Sequence, residues 1–242
     1  MNCLAVIIAR GGSKGIPRKN LLLIGDKPML AHTVETALKV STANPLDVIF
    51  STDSEEIRQT AIAAGAWAPF LRPSELAADD IPSWPVVQHA VAQAEMIKNI
   101  NYDLIVYLQP TAPLCCPKDV LRCINALNEN PNIESAVAVT EVETHPFRMK
   151  RLLSDGRLIN YIDQGFEDMR PRQRLPKVYR RAGSVYVSRR KVVMENNTLV
   201  GDPCIGIVVS PETAIDVDSE IDLELVRALY NRTNTIQDSE SA

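Results

Sequence analysis

The sequence alternates short apolar runs with longer segments that have helical character. Continuous apolar runs occur at Leu4–Ala9, Asp47–Ser51 and Asp103–Leu108, as expected for strands that are buried on both faces of a sheet. The intervening segments Pro28–Val40 and Val86–Ile97 are predicted as helices. Strands that alternate with helices predict an α/β fold, in which helices cover both faces of a mostly parallel sheet to give three layers.

The remaining elements continue this alternation. Asp53 and Ser54 are candidate N-caps for a helix over Glu55–Ala64. The other predicted elements are a short strand at Ala66–Leu71, a helix at Pro117–Leu127, strands at Ser135–Val142, Gly183–Val187 and Ile205–Val209, and a closing helix at Ser219–Tyr230. Together they predict one domain over residues 1–232, followed by a disordered polar tail at 233–242. The irregular stretch 145–180 interrupts the pattern and is predicted to leave the domain as a lid, a substrate wall or an oligomerisation arm.

Composition removes several classes of protein. The chain has 242 residues, with 26 Lys and Arg against 30 Asp and Glu and a formal net charge of −4, which disfavours general nucleic-acid binding. No apolar stretch approaches the ~20 residues of a membrane-spanning helix. The five cysteines match neither a disulfide framework nor a zinc site. We therefore expect no nucleic-acid or membrane partner, and reduced thiols in the cytoplasm.

The first predicted strand runs directly into a loop rich in glycine and cations. Residues 9–20 contain three glycines, together with Arg10, Lys14, Arg18 and Lys19, and no acidic residue. Ligands of open α/β sheets bind outside the carboxyl ends of the strands, and glycine backbone with Lys and Arg charge suits a triphosphate. The loop is not a Walker A motif, because Gly15 follows Lys14. A solvated basic turn is the weaker alternative.

Two further segments carry charge in a pattern that suggests binding. Asp216 and Asp218 place two carboxylates on one face if the chain is extended there, and carboxylates beside phosphates suit Mg²⁺. The alternative is that Asp218 or Ser219 only caps the last helix. The segment 170–181 has six cations and no acid. It is a solvated face, an RNA contact or a pocket for a carboxylate substrate, and its Arg excess favours the last.

Four segments together resemble the acylneuraminate cytidylyltransferases, also called CMP-sialic acid synthetases. They are ARGGSKGIPRKN at 9–20, LRPSELAADD at 71–80, LQPTAPL at 108–114 and IDVDSEID at 215–222. They occur in the family's order and at similar spacing, and the resemblance covers Ala5 to about Leu229. It implies a Rossmann-like nucleotidyltransferase fold with a mostly parallel mixed sheet and a small dimerisation extension.

The resemblance also implies an activity. CMP would be transferred from CTP to the anomeric hydroxyl of a nonulosonic (sialic-type) acid, with release of pyrophosphate and a requirement for Mg²⁺. The protein would be a homodimer whose 145–180 extension crosses to the partner and contributes to the sugar site. The alternatives are a related nucleotidyltransferase acting on Kdo or a sugar phosphate, and a non-catalytic nucleotide-binding module.

Roles for individual residues follow from the same resemblance. The triphosphate would be held by Arg10, Gly11, Gly12, Ser13 and Lys19, with Asn20 beside it, and the cytosine ring by Arg72 and Ser83. The sugar would be bound by Gln109, Arg172, Arg180 and Tyr186, and the metal by Asp216 and Asp218, so that Arg10, Lys19 and the two aspartates carry catalysis. Cys115 and Ala182 depart from the family's usual residues, which leaves N-acetylneuraminate, legionaminate and pseudaminate open as the sugar.

Overall fold

A six-stranded sheet forms the centre of the structure, a computed structural model that describes residues 1–12 and 15–240, with side chains up to residue 232. The strands are β1 (Cys3–Ile8), β2 (Leu23–Ile24), β3 (Lys27–Pro28), β4 (Leu46–Ser51), β5 (Leu104–Leu108), β6 (Ser135–Glu141), β7 (Lys150–Leu152), β8 (Leu158–Asn160), β9 (Tyr179–Arg189) and β10 (Cys204–Val208). The helices are α1 (Met29–Ala43), α2 (Glu55–Ala63), α3 (Ser83–Lys98), α4 (Pro117–Glu129), α5 (Arg190–Met194) and α6 (Glu220–Glu240).

The sheet is mixed but mostly parallel, as the sequence predicts. Its strand order is β10-β6-β9-β5-β1-β4. β1 pairs in parallel with β4 and β5, and β6 pairs in parallel with β10, whereas β9 runs antiparallel to β5 and β6. The carboxyl ends of the parallel strands and the start of β9 therefore meet at one edge of the sheet, where ligands of such folds bind.

The apolar run in β1 is explained by burial on both faces of the sheet. Ala5 and Ile7 belong to the apolar cluster that includes residues of α1 and α4, and Leu4 and Val6 belong to the cluster on the α3 side. All four side chains are completely buried, and complete burial of an aliphatic side chain contributes about 1.5–3 kcal/mol. Alternate residues of the strand thus hold the two outer layers onto the sheet.

Two local predictions differ from the structure. The predicted strand Ala66–Leu71 is reduced to an isolated parallel bridge between Ile49 and Trp67, since Pro69 has no N–H to continue a ladder. The closing helix α6 continues to Glu240, although a disordered tail was expected from residue 233. Ser241 and Ala242 lie outside the described residues.

Residues 145–180 leave the sheet as an extension. β7 and β8 form a separate antiparallel hairpin, and large apolar side chains are exposed along the extension at Leu152, Leu158, Tyr161, Phe166 and Met169. Its two ends are tied together by the buried His145, whose Nε2 lies 3.1 Å from the carbonyl oxygen of Pro176. Among the helices of the described chain, none is long and apolar enough to cross a membrane.

Candidate active site

A cavity of about 330 Å³ opens at the carboxyl edge of the sheet. Its walls come from the end of β1 and the following loop, the segment between α2 and α3, the start of α3 and the end of β5. Six of the residues singled out in the sequence line it: Arg10, Lys19, Asn20, Arg72, Ser83 and Gln109. The fold therefore brings three sequence segments, at residues 8–20, 72–86 and 107–111, to one site.

Three cations of the loop after β1 are paired with acids from other segments, and the fourth, Lys14, lies outside the described residues. Arg10 Nη1 lies 2.6 Å from Asp79 Oδ1, and Lys19 Nζ lies 3.1 Å from Asp218 Oδ1. Arg18 pairs with Glu56 at the surface. Carboxylates from other segments thus supply the negative charge that the loop itself lacks. An incoming polyphosphate would offer the same cations more negative charge than a single carboxylate does.

The two ends of this loop are held together. Asn20 Nδ2 donates a hydrogen bond to the carbonyl oxygen of Arg10 at 3.3 Å, and Lys19 Nζ donates to the carbonyl oxygen of Val217 at 2.7 Å. A Cβ on Gly15 would lie 3.1 Å from the carbonyl oxygen of Asp218, so the backbone passes too close for a larger residue to fit freely. Gly11 and Gly12 are exposed, and Ser13 lies outside the described residues.

Asp216 and Asp218 differ strongly in their surroundings. Val217 between them is completely buried, the Asp218 side chain is 78% exposed, and Asp216 Oδ1 is buried without a hydrogen-bond partner among the described residues. Burial raises the pKa of Asp216, and the negative charge of Asp218 raises it further, while a hydrogen bond from Thr111 and the charge of Lys19 act in the opposite direction. Asp216 is therefore the more buried of the two carboxylates, and a cation bound beside it would lower its pKa.

Helix capping does not account for the aspartate pair. Ser219 Oγ accepts a hydrogen bond from the Asp222 amide at 3.4 Å, and Asp222 Oδ2 accepts from the Ser219 amide at 2.8 Å. These reciprocal contacts form the capping box of α6. The Asp218 carboxylate faces Lys19 instead.

Arg72 is a buried cation in the cavity wall. Its side chain is only 3% exposed. Its Nη2 lies 3.4 Å from the carbonyl oxygen of Ala9 and 3.3 Å from Asp53 Oδ1. Its Nε has no partner among the described residues. Burial lowers the pKa of Arg72, and the charge of Asp53 counteracts that effect. The guanidinium therefore retains hydrogen-bonding capacity for a ligand.

Tyr107 connects two of the predicted site residues. The Tyr107 hydroxyl donates to Ser83 Oγ at 3.5 Å and accepts from Gln109 Nε2 at 3.3 Å. Its ring is 5.7 Å from that of Tyr186. Burial raises the pKa of the Tyr107 hydroxyl, which stays protonated and able to donate. Because Tyr107 lines the cavity, its contact with Tyr186 places the Tyr186 ring next to the cavity wall.

The two arginines predicted for the sugar lie outside the lining of this cavity. Arg180 Nη2 donates to the carbonyl oxygen of Ala214 at 3.4 Å, close in sequence to the aspartate pair. Arg172 Nη2 donates to the carbonyl oxygen of Val142 at 2.9 Å and lies 3.7 Å from Glu141 Oε1. Arg180 lies at the start of β9, and Arg172 contacts the residue that follows β6, so both arginines stand at the carboxyl edge of the sheet.

Sequence reasoning missed four residues of the site: Asp53, Asp79, Tyr107 and Thr111. Asp53 was interpreted only as a helix cap, but the cap is Ser54, whose Oγ accepts from the Ile57 amide at 3.4 Å. Position alone would have identified Asp53 and Thr111, because both follow the carboxyl ends of buried strands. Asp79 belongs to the segment 71–80 that was already singled out.

Comparisons of the sequence and of the fold with known proteins agree with one another. The sequence profile of a family described as cytidylyltransferase matches residues 4–234. The pseudaminic acid cytidylyltransferase of Campylobacter jejuni serotype O:2 is 34% identical over 233 residues, covering 95% of this chain and 97% of that protein. The CMP-N,N'-diacetyllegionaminic acid synthase of Legionella pneumophila is 30% identical over 230 residues, covering 95% of this chain and 96% of that one. A solved structure of CMP:2-keto-3-deoxy-manno-octonic acid synthetase complexed with CTP shares the fold, with a TM-score of 0.68, 21% identity and coverage of 96% of this chain and 100% of that one.

Proposed function

This chain belongs to the cytidylyltransferase family, and from that premise we propose that it transfers CMP from CTP to the anomeric hydroxyl of a nonulosonic (sialic-type) acid. The anomeric oxygen bonds to the α-phosphorus, the bond from that phosphorus to the bridging oxygen breaks, and pyrophosphate leaves while the hydroxyl loses its proton. The names of the relatives in Campylobacter jejuni and Legionella pneumophila support this class of acceptor. The observation that carries the proposal is the convergence of Arg10, Lys19 and Arg72 on one cavity.

The cations of the cavity suit a nucleoside triphosphate. Arg10 and Lys19 exchange their contacts to Asp79 and Asp218 for phosphate oxygens, and the exposed residue Gly12 lies on the same loop. Phosphoryl-type transfer depends mainly on positioning and on stabilisation of charge. Arg72 and Ser83 also line the cavity, and in our proposal they bind the cytosine ring.

We also propose that Asp216 and Asp218 hold Mg²⁺. The buried, unpartnered Oδ1 of Asp216 and the exposed carboxylate of Asp218 fit a small hard cation. No group of three or more His, Cys, Asp or Glu side chains suited to a metal occurs in the described part of the chain. Phosphate and water oxygens would complete the set of oxygen ligands that the two carboxylates begin. When bound, Mg²⁺ neutralises charge on the phosphates.

The acceptor site lies towards the extension in this proposal. Gln109 lines the cavity and Tyr186 packs against Tyr107 in its wall, and in our proposal both contact the sugar. Arg172 and Arg180 provide charge for its carboxylate. The apolar side chains exposed on the hairpin support a homodimer in which the extension packs against a second copy. All five cysteines are free thiols, which supports the proposal of a cytoplasmic protein.

The test is turnover by the purified protein. CTP and Mg²⁺ are supplied with a panel of nonulosonic acids, Kdo and sugar phosphates, and both pyrophosphate and the CMP-sugar are measured. We expect both products with a nonulosonic acid, and a preference for CTP over UTP and GTP. Turnover with only Kdo or a sugar phosphate would establish the alternative, and no turnover with any acceptor would contradict the proposal.

A further inference from the structure

Asp53 lies two residues after the carboxyl end of β4. Its Oδ1 accepts a hydrogen bond from the Gly11 amide at 3.0 Å and lies 3.3 Å from Arg72 Nη2. One carboxylate oxygen therefore contacts the loop after β1 and the buried guanidinium at the same time. The Asp53 side chain is 25% exposed and that of Arg72 is 3% exposed, so this pair is shielded from water more than a surface ion pair is.

The backbone around Asp53 fixes its place. The Ala9 amide donates to the carbonyl oxygen of Ser51 at 3.1 Å, and the Arg72 amide donates to the carbonyl oxygen of Thr52 at 2.7 Å. The residues just before Asp53 are thus hydrogen-bonded to the chain on either side. A Cβ on Gly11 would lie 3.1 Å from the Cβ of Ser54, so the loop packs closely against this corner of β4.

The task of capping α2 falls to Ser54, not to Asp53. The Asp53 carboxylate instead contacts Arg72, which lines the cavity, and the amide of Gly11, which follows the cavity-lining Arg10. Arg72 needs such a partner, because a buried cation without a counter-charge is strongly destabilising. Gly11 is an exposed residue, so water could replace Asp53 as the partner of its amide, and folding alone does not require this contact.

We propose that Asp53 is a positioning residue for the nucleotide, which fixes the Arg72 guanidinium and the Gly11 amide relative to one another and so couples the base-binding side of the cavity to the phosphate-binding side. The inference rests on the proposed binding of CTP in this cavity. Asp53 contacts neither the base nor the phosphates in this role. It acts through Arg72 and the loop.

The experiment measures nucleotide binding without any sugar, so that it does not depend on the identity of the acceptor. Affinities for CTP and UTP are measured by calorimetry with Mg²⁺ for the parent protein, Asp53→Asn, Arg72→Met and the double variant. Asp47→Asn is the matched control, since Asp47 lies on β4, the strand that precedes Asp53, and accepts a hydrogen bond from the Tyr102 hydroxyl at 2.7 Å, away from the cavity. Melting temperatures are recorded for every variant.

We expect Asp53→Asn to weaken CTP binding roughly tenfold or more, as for the loss of a hydrogen bond to a charged group, and to reduce the preference for CTP over UTP. The double variant should be no worse than Arg72→Met, because residues that act as a unit are not additive. If Asp53→Asn fails to fold, Asp53→Glu keeps the charge, displaces the carboxylate by one methylene and should show the same loss of preference.

Three results would overturn the inference. The first is a lower melting temperature of Asp53→Asn with an unchanged preference for CTP over UTP, which would make the residue purely structural. The second is an effect that adds fully to that of Arg72→Met. The third is an equal loss in Asp47→Asn. Failure of the parent protein to bind CTP would instead overturn the proposed function itself, together with the inference that rests on it.

Discussion

Lys19 and Asp218 form a 3.1 Å ion pair, although they lie 199 positions apart in the sequence. The lysine side chain is only 15% exposed and is also held by the carbonyl oxygen of Val217 at 2.7 Å, whereas the aspartate is 78% exposed. The cation is therefore fixed by backbone, while the carboxylate can turn away. In our proposal, Lys19 keeps this position when it binds the triphosphate, and Asp218 turns to hold Mg²⁺.

Lys19→Gln should lower kcat/KM for CTP by about 100-fold, because a charged contact to the phosphates made in the transition state is lost. Arg18→Gln is the matched control: the neighbouring residue carries the same charge, but it pairs with Glu56 at the surface, and exposed pairs contribute about 0–1 kcal/mol. Steady-state release of pyrophosphate measures both. Similar losses in the two variants would show that only the overall charge of the loop matters.

Asp218→Asn should abolish turnover while CTP still binds, since the phosphate-binding cations remain in place. Half-maximal activity should also require more Mg²⁺ if any activity survives. Glu56→Gln removes another exposed acid that pairs with a cation of the same loop and should leave the Mg²⁺ requirement unchanged. The measurement is activity against Mg²⁺ concentration, with CTP affinity determined separately. Full activity of Asp218→Asn would remove this residue from the metal site.

Both the parallel sheet and the loop after β1 could be predicted from the sequence, because each depends on a local pattern. Six consecutive apolar residues in β1 require burial on both faces, and a loop that follows such a strand lies at the ligand edge. The strand predicted at Ala66–Leu71 was wrong because a single proline decided the pairing.

The partners of the site residues could not be predicted in the same way. The contacts of Asp53 with Gly11 and Arg72 join segments 42 and 19 residues apart, and no local pattern specifies such pairs. The contacts of the Tyr107 hydroxyl could not be predicted either, because the sequence shows Tyr107 only as an aromatic residue in a buried strand. The resemblance to a family indicated which residues bind, but not which neighbours hold them.

Gly183→Ala should inactivate the enzyme. Gly183 has a φ of +79°, and a Cβ there would lie 2.9 Å from Asp216 Oδ2 and 3.2 Å from Gln109 Oε1. Gly156→Ala is the matched control, with a φ of +85° and nothing within 4 Å of the added carbon. Both variants should lose about 1–2 kcal/mol of stability from the left-handed backbone, but only Gly183→Ala should lose turnover. Normal activity of Gly183→Ala would show that Asp216 and Gln109 tolerate displacement.

Leu158→Asp should convert the proposed dimer into a monomer. Leu158 pairs with Leu152 across the β7–β8 hairpin, and in the single chain these residues are 64% and 69% exposed. A charge placed there is unfavourable in an apolar interface. Ile221→Asp, at a site 76% exposed on α6, is the control and should not change the molecular mass in solution. Light scattering after size-exclusion chromatography measures the mass, and an unchanged dimer in Leu158→Asp would exclude the hairpin as its interface.

His89 should make the stability of the protein fall as the pH falls below neutral. Its ring packs edge-on against Phe70 at 5.2 Å, and its buried Nδ1 has no partner among the described residues. Burial lowers the pKa of His89, and the charge of Arg72 lowers it further. The unfolded chain takes up this proton near the ordinary value of about 6.5, so stability that is present above that pH is lost as the pH falls towards the lower folded pKa. In His89→Gln, which cannot titrate, the melting temperature should fall less steeply over this range. Equal slopes in calorimetric scans of the two proteins would contradict this assignment.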